Sequence, residues 1–401
     1  MSNHLFSYGK EIIQQLNEHL FSAFFVGGCV RDFLLNRQIG DIDIVTDALP
    51  EEIREIFPKT IPLGVDHGTI IIRHQGISFE VSTFRCTERI NIDDSLTHKE
   101  HIQKLLYNDL QHRDFTINAI AMNIKQTIID PFNGQESLER GVIQGVHNDY
   151  DRLIEDPLRI LRAFRFVSEL GFTIDPQTSA QIKKVNKQLI NVAIERITQE
   201  FTKLIKGTYV KKSLQQMIAT KTNEFIPVSE KTQKAFTQLA QIIKPLQSLS
   251  EFFVLLNQLN DQLSIKNIIN TWKCSRKTYQ EAFHLQKAIN YFDQNGLDRW
   301  LVYQLGEDYF DNFLRVLQII SPNNQLTLSH LEHIYGKLAI YSVKDIVFTG
   351  YDLKMMFPQL QPGLWMKQML AEIEKQIVTN QLENDYKMIK EWVLCHPPEV
   401  D

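Results

Sequence analysis

Phe24-Phe25-Val26-Gly27-Gly28-Cys29-Val30-Arg31-Asp32, followed after a short interval by Asp41-Ile42-Asp43-Ile44, is the stretch that decides the fold. An aromatic, apolar run entering paired glycines and then a helical pattern describes a strand, a tight turn and a helix. Without a Cβ at the turn, backbone N–H groups at the helix start stay open to an anion. Arg31, one turn into that helix, adds a fixed cation. In the strand expected over Asp41–Thr46, Asp41 and Asp43 are two residues apart and point to one side of the sheet. Paired hard oxygen donors beside a phosphate cradle suit Mg²⁺, which completes its shell with substrate phosphates. A Gly-Gly turn and an Asp-x-Asp are each common surface features; their joint spacing carries the inference.

Outward from this core, Ser22–Val26, Thr69–Arg73 and Ile77–Thr83 are short, β-branched or aromatic and bounded by turn residues, as strands are. A further strand is expected within Ala119–Ile124, paired with Thr127–Ile129. Cys29–Leu35 and Pro50–Ile56 read as helices, the second with Pro at its start and Glu51 and Glu52 in its first turn. Glu80, on the second strand of a hairpin, is either a third carboxylate of the same pocket or a solvent-facing strand residue. From about residue 145 apolar residues recur at helical spacing, and no strand is expected beyond that point save a weak signal at Ile346–Phe348. The fold class is therefore an α/β head, a sheet with helices, followed by an all-α remainder.

The second constellation is Glu155-Asp156-Pro157-Leu158-Arg159-Ile160-Leu161-Arg162-Ala163-Phe164-Arg165-Phe166. Pro157 fits a first helical turn with Asp156 near the cap. Asp156, Arg159, Arg162 and Arg165 recur every three residues and form a slowly drifting stripe. Such a stripe is either a salt-bridged amphipathic face or, given its excess of guanidinium, a polyphosphate site. Asp156 with Arg159 also offers an acceptor beside a donor. That order matches the pairing edges of cytosine and adenine and opposes those of guanine and uracil, each good bidentate contact discriminating by about 1–3 kcal/mol. Between the two constellations, Arg113 is placed to reach phosphate and Asp114 or Asn118 a ribose hydroxyl, with capping or internal hydrogen bonding as the plainer alternative.

Composition narrows the class. The 401 residues carry 43 Lys and Arg against 48 Asp and Glu, for a formal charge of −5, and are 43% hydrophobic, which excludes wholesale disorder. There is no signal-peptide pattern at the start and no apolar run long enough for a bilayer. Cys29, Cys86, Cys274 and Cys395 are far apart, which speaks for a reducing cytoplasm rather than a disulfide framework. Slight overall acidity leaves room for a local basic face, and residues 201–245 hold eight lysines against two glutamates, a solvated helical face or an RNA-backbone track. Walker A, GxGxxG and HExxH motifs are missing. His98 and His101 have no ligand cluster around them, and no histidine precedes an aspartate.

Taken together, these motifs resemble the class II tRNA nucleotidyltransferases, most closely the Gram-positive bacterial CCA-adding type. The resemblance covers nearly the whole chain. It runs through VGGCVRD with DID, HGTIII (67–72), FEVSTFR (79–85), HRDFTINAIAMN (112–123), DPFNG (130–134), EDPLRILRAFRF, ERITQEF (195–201), FTGYDL and PGLWMKQML. It implies template-independent addition of C, C and A to the tRNA 3′ end from CTP and ATP with release of pyrophosphate. It further implies Asp41 and Asp43 as metal ligands; Glu80 is added to the catalytic set from its strand position alone. Gly28, Arg31 and Arg113 would bind the nucleotide, Asp156 and Arg159 read its base, and Arg162 and Arg165 meet the triphosphate. The implied divisions are a head (1–145), neck (146–206), body (207–295) and tRNA-binding tail (296–401). tRNA, ATP and CTP are the implied partners, no membrane is, and a homodimer is left open. Three positions depart from the family pattern: His112 stands for an arginine, Ser137 for an acid, and the loop after Arg85 reads ERINIDDSLTHKE where the family is arginine-rich. A CC-only or A-only enzyme, a poly(A) polymerase and a non-catalytic RNA-binding protein are the alternatives.

Overall fold

The computed structural model describes residues 2–62, 68–84, 97–147, 149–228 and 230–398, in two compact units, Met1–Pro227 and Val228–Asp401. His67 of HGTIII and most of the loop that follows Arg85 lie outside the described residues.

Seven strands form the sheet of the first unit: β1 (Ala23–Val26), β2 (Asp43–Thr46), β3 (Thr60–Pro62), β4 (Thr69–His74), β5 (Ile77–Thr83), β6 (Ala121–Met122) and β7 (Ile128–Ile129). Their order is β3-β4-β5-β2-β1-β6-β7, and only β2 with β5 is parallel. The β4–β5 hairpin turns through Gln75 (φ 50) and Gly76 (φ 79), the double positive-φ turn that matches strand twist. β2 begins at Asp43, two residues later than expected. Its pairing with β1 ends at Val26 opposite Asp43, because Gly27 (φ 73, ψ −131) turns the partner chain away. Asp41 therefore precedes the strand rather than belonging to it.

The helices of the sheet region are α1 (Ser2–Glu18), α2 (Gly28–Leu34), α3 (Pro50–Ile56), α4 (His98–Gln111) and α5 (Gly134–Arg140). Phe6 of α1 meets Phe25 of β1 edge-on at 5.0 Å, closing one face of the sheet. On the other face Leu106 and Leu110 of α4 pack with Val26, Val45 and Ala121. Thr97 caps α4 by a reciprocal arrangement with Glu100, which fixes where the helix starts. One short β8 (Val142–Ile143) pairs with β9 (Thr173–Ile174) in parallel. That pair corrects the expectation of no strand past residue 145; Ile346–Phe348, conversely, is not a strand.

Five helices complete the unit: α6 (Asp149–Glu155), α7 (Leu158–Leu170), α8 (Pro176–Val185), α9 (Ile194–Lys206) and α10 (Val210–Ala219). α7 is the hub. It buries Leu161, Phe164 and Val167 completely, and Ser168 ties it to α9 through a 2.6 Å bond to the Leu204 carbonyl. The eight lysines of 201–245 are spread over several elements: Lys203 and Lys206 end α9, Lys211 and Lys212 start α10, Lys221 follows it, and Lys231, Lys234 and Lys244 belong to the second unit.

That second unit is helical throughout its described residues. Its core holds Phe252, Phe253 and Trp272, while a second cluster gathers Ile373, Ile377, Ile389 and Val393. Glu251, fully buried, accepts from Asn312 Nδ2 at 2.6 Å and Arg315 Nε at 3.2 Å, so its charge is met by hydrogen-bonded partners. No described helix is long and apolar enough to cross a membrane.

Gly134 of DPFNG explains its own identity. A Cβ there would lie 2.3 Å from the Thr116 carbonyl oxygen and 2.5 Å from Ile120 Cγ1. Gly134→Ala is expected to lose about 1–3 kcal/mol in denaturant unfolding from overpacking. Gly40→Ala, where a Cβ meets nothing within 4 Å, should change stability by under about 0.5 kcal/mol.

Candidate active site

β1 delivers the chain to Gly27, and the turn there has a steric cause. With φ 73 and a notional Cβ only 2.6 Å from Arg113 Nη1, the position takes glycine alone. The sequence reading chose Gly28, which opens α2 with an ordinary φ and finds its nearest side-chain atom, Arg31 Nη2, at 3.7 Å. Gly27 is thus the glycine that the close approach of Arg113 demands.

The turn opens onto a cleft of about 610 Å³ whose walls come from both constellations. Asp41 and Asp43 lie on one side and Asp156, Arg159, Arg162 and Arg165 on the other, with Gly28, Arg31 and Arg113 also lining it. Seven cationic side chains and five carboxylates line it together. Glu80 does not line the cleft. It is exposed, on the strand beside Asp43 and opposite it in register, near enough to act on that carboxylate electrostatically. A slightly larger cleft of about 690 Å³, between α4 and β1 and β7, is mostly apolar and contains no carboxylate.

Each arginine is held by a specific group. Arg31 grips Asp32 at 2.9 and 3.0 Å and donates to Asn118 Oδ1 at 2.8 Å. The same Asn118 donates from Nδ2 to Asp114 Oδ1 at 3.0 Å, and Arg162 Nε donates to Asp114 Oδ2 at 2.8 Å. Asp114 and Asn118 thus take the internal hydrogen bonding that was the plainer of their two readings, and link α2 to α7. Arg113 is turned toward Gly27 by Asp109 at 3.1 and 3.2 Å. Arg159 donates to the main-chain carbonyls of His112 (3.1 Å) and Arg113 (3.5 Å), just past the end of α4. Arg165, deepest of the stripe, reaches Glu200 of α9 at 3.1 Å. Three guanidiniums, those of Arg31, Arg162 and Arg165, surround the Phe166 ring at 5.2, 5.7 and 4.5 Å. The ring's π face offsets part of their mutual repulsion.

Two further residues line the cleft: Arg196, to which the sequence reading gave no role, and Lys203, which it placed only in the lysine-rich stretch 201–245. Arg196 of α9 donates to both oxygens of Asp156 at 3.3 and 3.5 Å. Lys203, two turns further along the same helix, lies at its other end. Both stand on one face of α9 with Glu200, a spacing of four and then three residues that a helical wheel would have grouped.

The acids divide by environment. Burial pushes Asp43 up to about 6; Glu80 and Asp41 push the same way, and Arg113 and Arg162 offset only part. Burial also works to raise Asp114, but Arg162, Asn118 and the Phe115 N–H outweigh it and hold Asp114 at about 2. Among the described residues no three His, Cys, Asp or Glu side chains form a metal-holding group on their own. Asp41 and Asp43 supply hard oxygen donors for a cation that takes the rest of its shell from phosphate and water.

Comparison with known proteins gives the family. Residues 23–144 match the poly(A) polymerase head domain, 171–229 the probable RNA and SrmB-binding site of polymerase A, and 244–393 the tRNA nucleotidyltransferase domain 2. The CCA-adding enzyme of Oceanobacillus iheyensis is 38% identical over 98% of both chains. This chain belongs to the CCA-adding enzymes. That of Bacillus cytotoxicus is 36% identical over 97% of this chain and 98% of its own. The crystal structure of the Bacillus stearothermophilus CCA-adding enzyme in complex with CTP superposes with a TM-score of 0.87 at 31% identity, covering 98% of this chain and 97% of that one. The fold extends to the Thermotoga maritima CCA-adding enzyme, at TM-score 0.64 and 21% identity over 98% of this chain and 95% of that one.

The raised Asp43 has a sign that can be measured. Its ionisation is harder in the fold than in the unfolded chain, so the stability tied to its protonated form is complete below pH 4 and lost as pH rises through about 6. Asp43→Asn removes that loss. The ligand-free variant is expected to be more stable than the parent at pH 7.5, by on the order of 2 kcal/mol, with the advantage gone at pH 4. Denaturant titrations at the two pH values check this; a variant less stable at pH 7.5 contradicts the assignment.

Proposed function

We propose that this chain adds C, C and A in turn to the 3′ end of tRNA, taking CTP and ATP and releasing pyrophosphate. One observation carries the reading: a single cleft is lined by both the Asp41/Asp43 pair and the Asp156–Arg165 stripe. An incoming triphosphate lies along the stripe, with its base at Asp156 and Arg159 and its phosphates at Arg162 and Arg165. Gly28, Arg31 and Arg113 bound the opposite side. A divalent cation, Mg²⁺, held by Asp41 and Asp43 supplies Lewis acidity to the attacking hydroxyl and the departing pyrophosphate. Glu80, on the neighbouring strand, adds negative potential that favours the cation.

In the reaction the 3′-oxygen of the primer's last ribose forms a bond to the α-phosphorus, and the bond from that phosphorus to the bridging oxygen breaks. Positioning and charge stabilisation dominate such transfers. Here the arginines bring both. Base choice rests on complementary polarity: Asp156 accepts from an exocyclic amine while Arg159 donates to the adjacent ring nitrogen. Guanine or uracil would set donor against guanidinium and acceptor against carboxylate, leaving buried polar groups unpaired.

We divide the work of the chain between a nucleotidyltransferase head (1–145), a base-reading neck (146–206), a body (207–295) and a tail (296–401) that holds tRNA. The three described cysteines are free thiols, in keeping with a reducing cytoplasm. A second reading, CC-only or A-only addition, is favoured by one feature, the acidic Asp93-Asp94 run in the loop after Arg85.

Incubating the chain with Mg²⁺ and tRNA lacking its terminal triplet, with CTP, ATP or both, and sizing the products decides between these. Full addition with both nucleotides and a stop after two residues with CTP alone are expected. Asp41→Ala or Asp43→Ala should reduce turnover at least about 10³-fold while tRNA affinity is kept. Asp156→Ala should admit GTP and UTP, and continued exclusion of both would refute base reading by this pair.

A further inference from the structure

Every arginine of the cleft wall described above is met by a carboxylate or by main-chain carbonyls, so much of its charge is already answered. Lys203 differs. Its ammonium lies 3.7 Å from Glu200, a carboxylate that Arg165 already holds at 3.1 Å; its side chain is 58% exposed, and the residue lines the cleft. Its position along the cleft is fixed by how α7 and α9 lie together. Asp156 pairs with Arg196, Arg165 with Glu200, and Ser168 bonds to the Leu204 carbonyl, so the two helices run in the same direction. Arg196 marks the Asp156 end. Lys203, seven residues on and about 10 Å further along the axis, marks the Arg165 end. Arg165 and Arg31 share the Phe166 ring there, at 4.5 and 5.2 Å.

We propose that Lys203 is a phosphate-binding residue that holds the terminal phosphates of the incoming nucleotide and hence the pyrophosphate that leaves. The inference rests on the proposed reading of the cleft, in which the base lies at Asp156 and the phosphates run toward Arg165. An exposed ammonium at that end is suited to a polyanion as a movable point charge, whereas the neighbouring arginines are pinned. The alternatives make different demands. As part of an RNA-backbone track Lys203 would serve the tRNA, and as a mere balance to Glu200 it would serve the fold.

The test uses the full chain and its Lys203→Ala, Lys203→Arg and Arg162→Ala variants. Affinities are measured for CTP, CMP, inorganic pyrophosphate and tRNA lacking its terminal triplet, with Mg²⁺ present. Lys203→Ala is expected to weaken CTP and pyrophosphate about tenfold, as loss of a charged hydrogen bond does. CMP and tRNA should change less than about twofold, and Lys203→Arg should restore most of the loss. Weakened tRNA binding with unchanged CTP overturns the inference in favour of the RNA track. Unchanged affinities with a lowered melting temperature overturn it in favour of the fold. Arg162→Ala separates the two levels of the argument. If that variant binds CTP normally, the reading of the cleft fails; if it loses CTP and Lys203→Ala does not, the Lys203 inference alone fails.

Discussion

The ion pair between Asp114 and Arg162 joins the sheet-bearing half of the first unit to α7. Asp114 follows directly on Arg113 and is almost fully buried; Arg162 lies mid-stripe on α7, 48 residues away in sequence. Removing one partner of such a pair typically costs about 3–5 kcal/mol, because the survivor is left buried and uncompensated. The pair does more than add stability. It ties the part of the cleft that carries Asp41 and Asp43 to the helix that carries Arg159 and Arg165. Asn118 extends the link to Arg31, so α2, the segment before β6 and α7 form one hydrogen-bonded frame. On the proposed reading of the cleft, a triphosphate entering it meets cations already oriented, and little reorganisation is left for the reaction itself.

The electrostatic division inside that frame follows from burial and partner count. Asp114 and Asp43 line the same cleft, yet the first is held at about 2 and the second pushed up to about 6. Asp114 has Arg162, Asn118 and a backbone N–H directly on its oxygens. Asp43 feels its burial first, and the guanidiniums of Arg113 and Arg162 are opposed there by Glu80 and Asp41. A carboxylate left in that condition destabilises the ligand-free protein and gains from any cation that arrives. Storing instability at the reacting centre while securing the frame around it is how a site is kept ready without loosening the fold.

Much of this was legible in the sequence because the signals were local. The turn after Val26, the Asp41/Asp43 spacing and the three-residue repeat of EDPLRILRAFR each span only a few consecutive residues, where a local pattern speaks. What was missed depends on distance. Arg196 acquires its meaning from Asp156, forty residues earlier, and no local pattern marks that pairing. For Asp114 and Asn118 the sequence left a ribose contact and internal hydrogen bonding both open; their partners on α7 and α2, far away in sequence, make them structural links. Gly27 and Gly28 both line the cleft, and no local pattern shows that Gly27 is the one with the positive φ and the close approach of Arg113. The two-residue strand Thr173–Ile174 was invisible because it is shorter than any period. Asp41 fell outside β2 because strand limits are set by the partner chain's turn.

The central claim is that one nucleotide touches both walls of the cleft at once. A crystal structure of the full chain with CTP and Mn²⁺, phased on the manganese anomalous signal, tests it most directly. The account predicts an anomalous peak beside Asp41 and Asp43, with the same CTP placing its amino edge on Asp156 and Arg159. CTP lodged in the apolar cleft beneath α4, or a manganese site whose nucleotide makes no contact with α7, would contradict it.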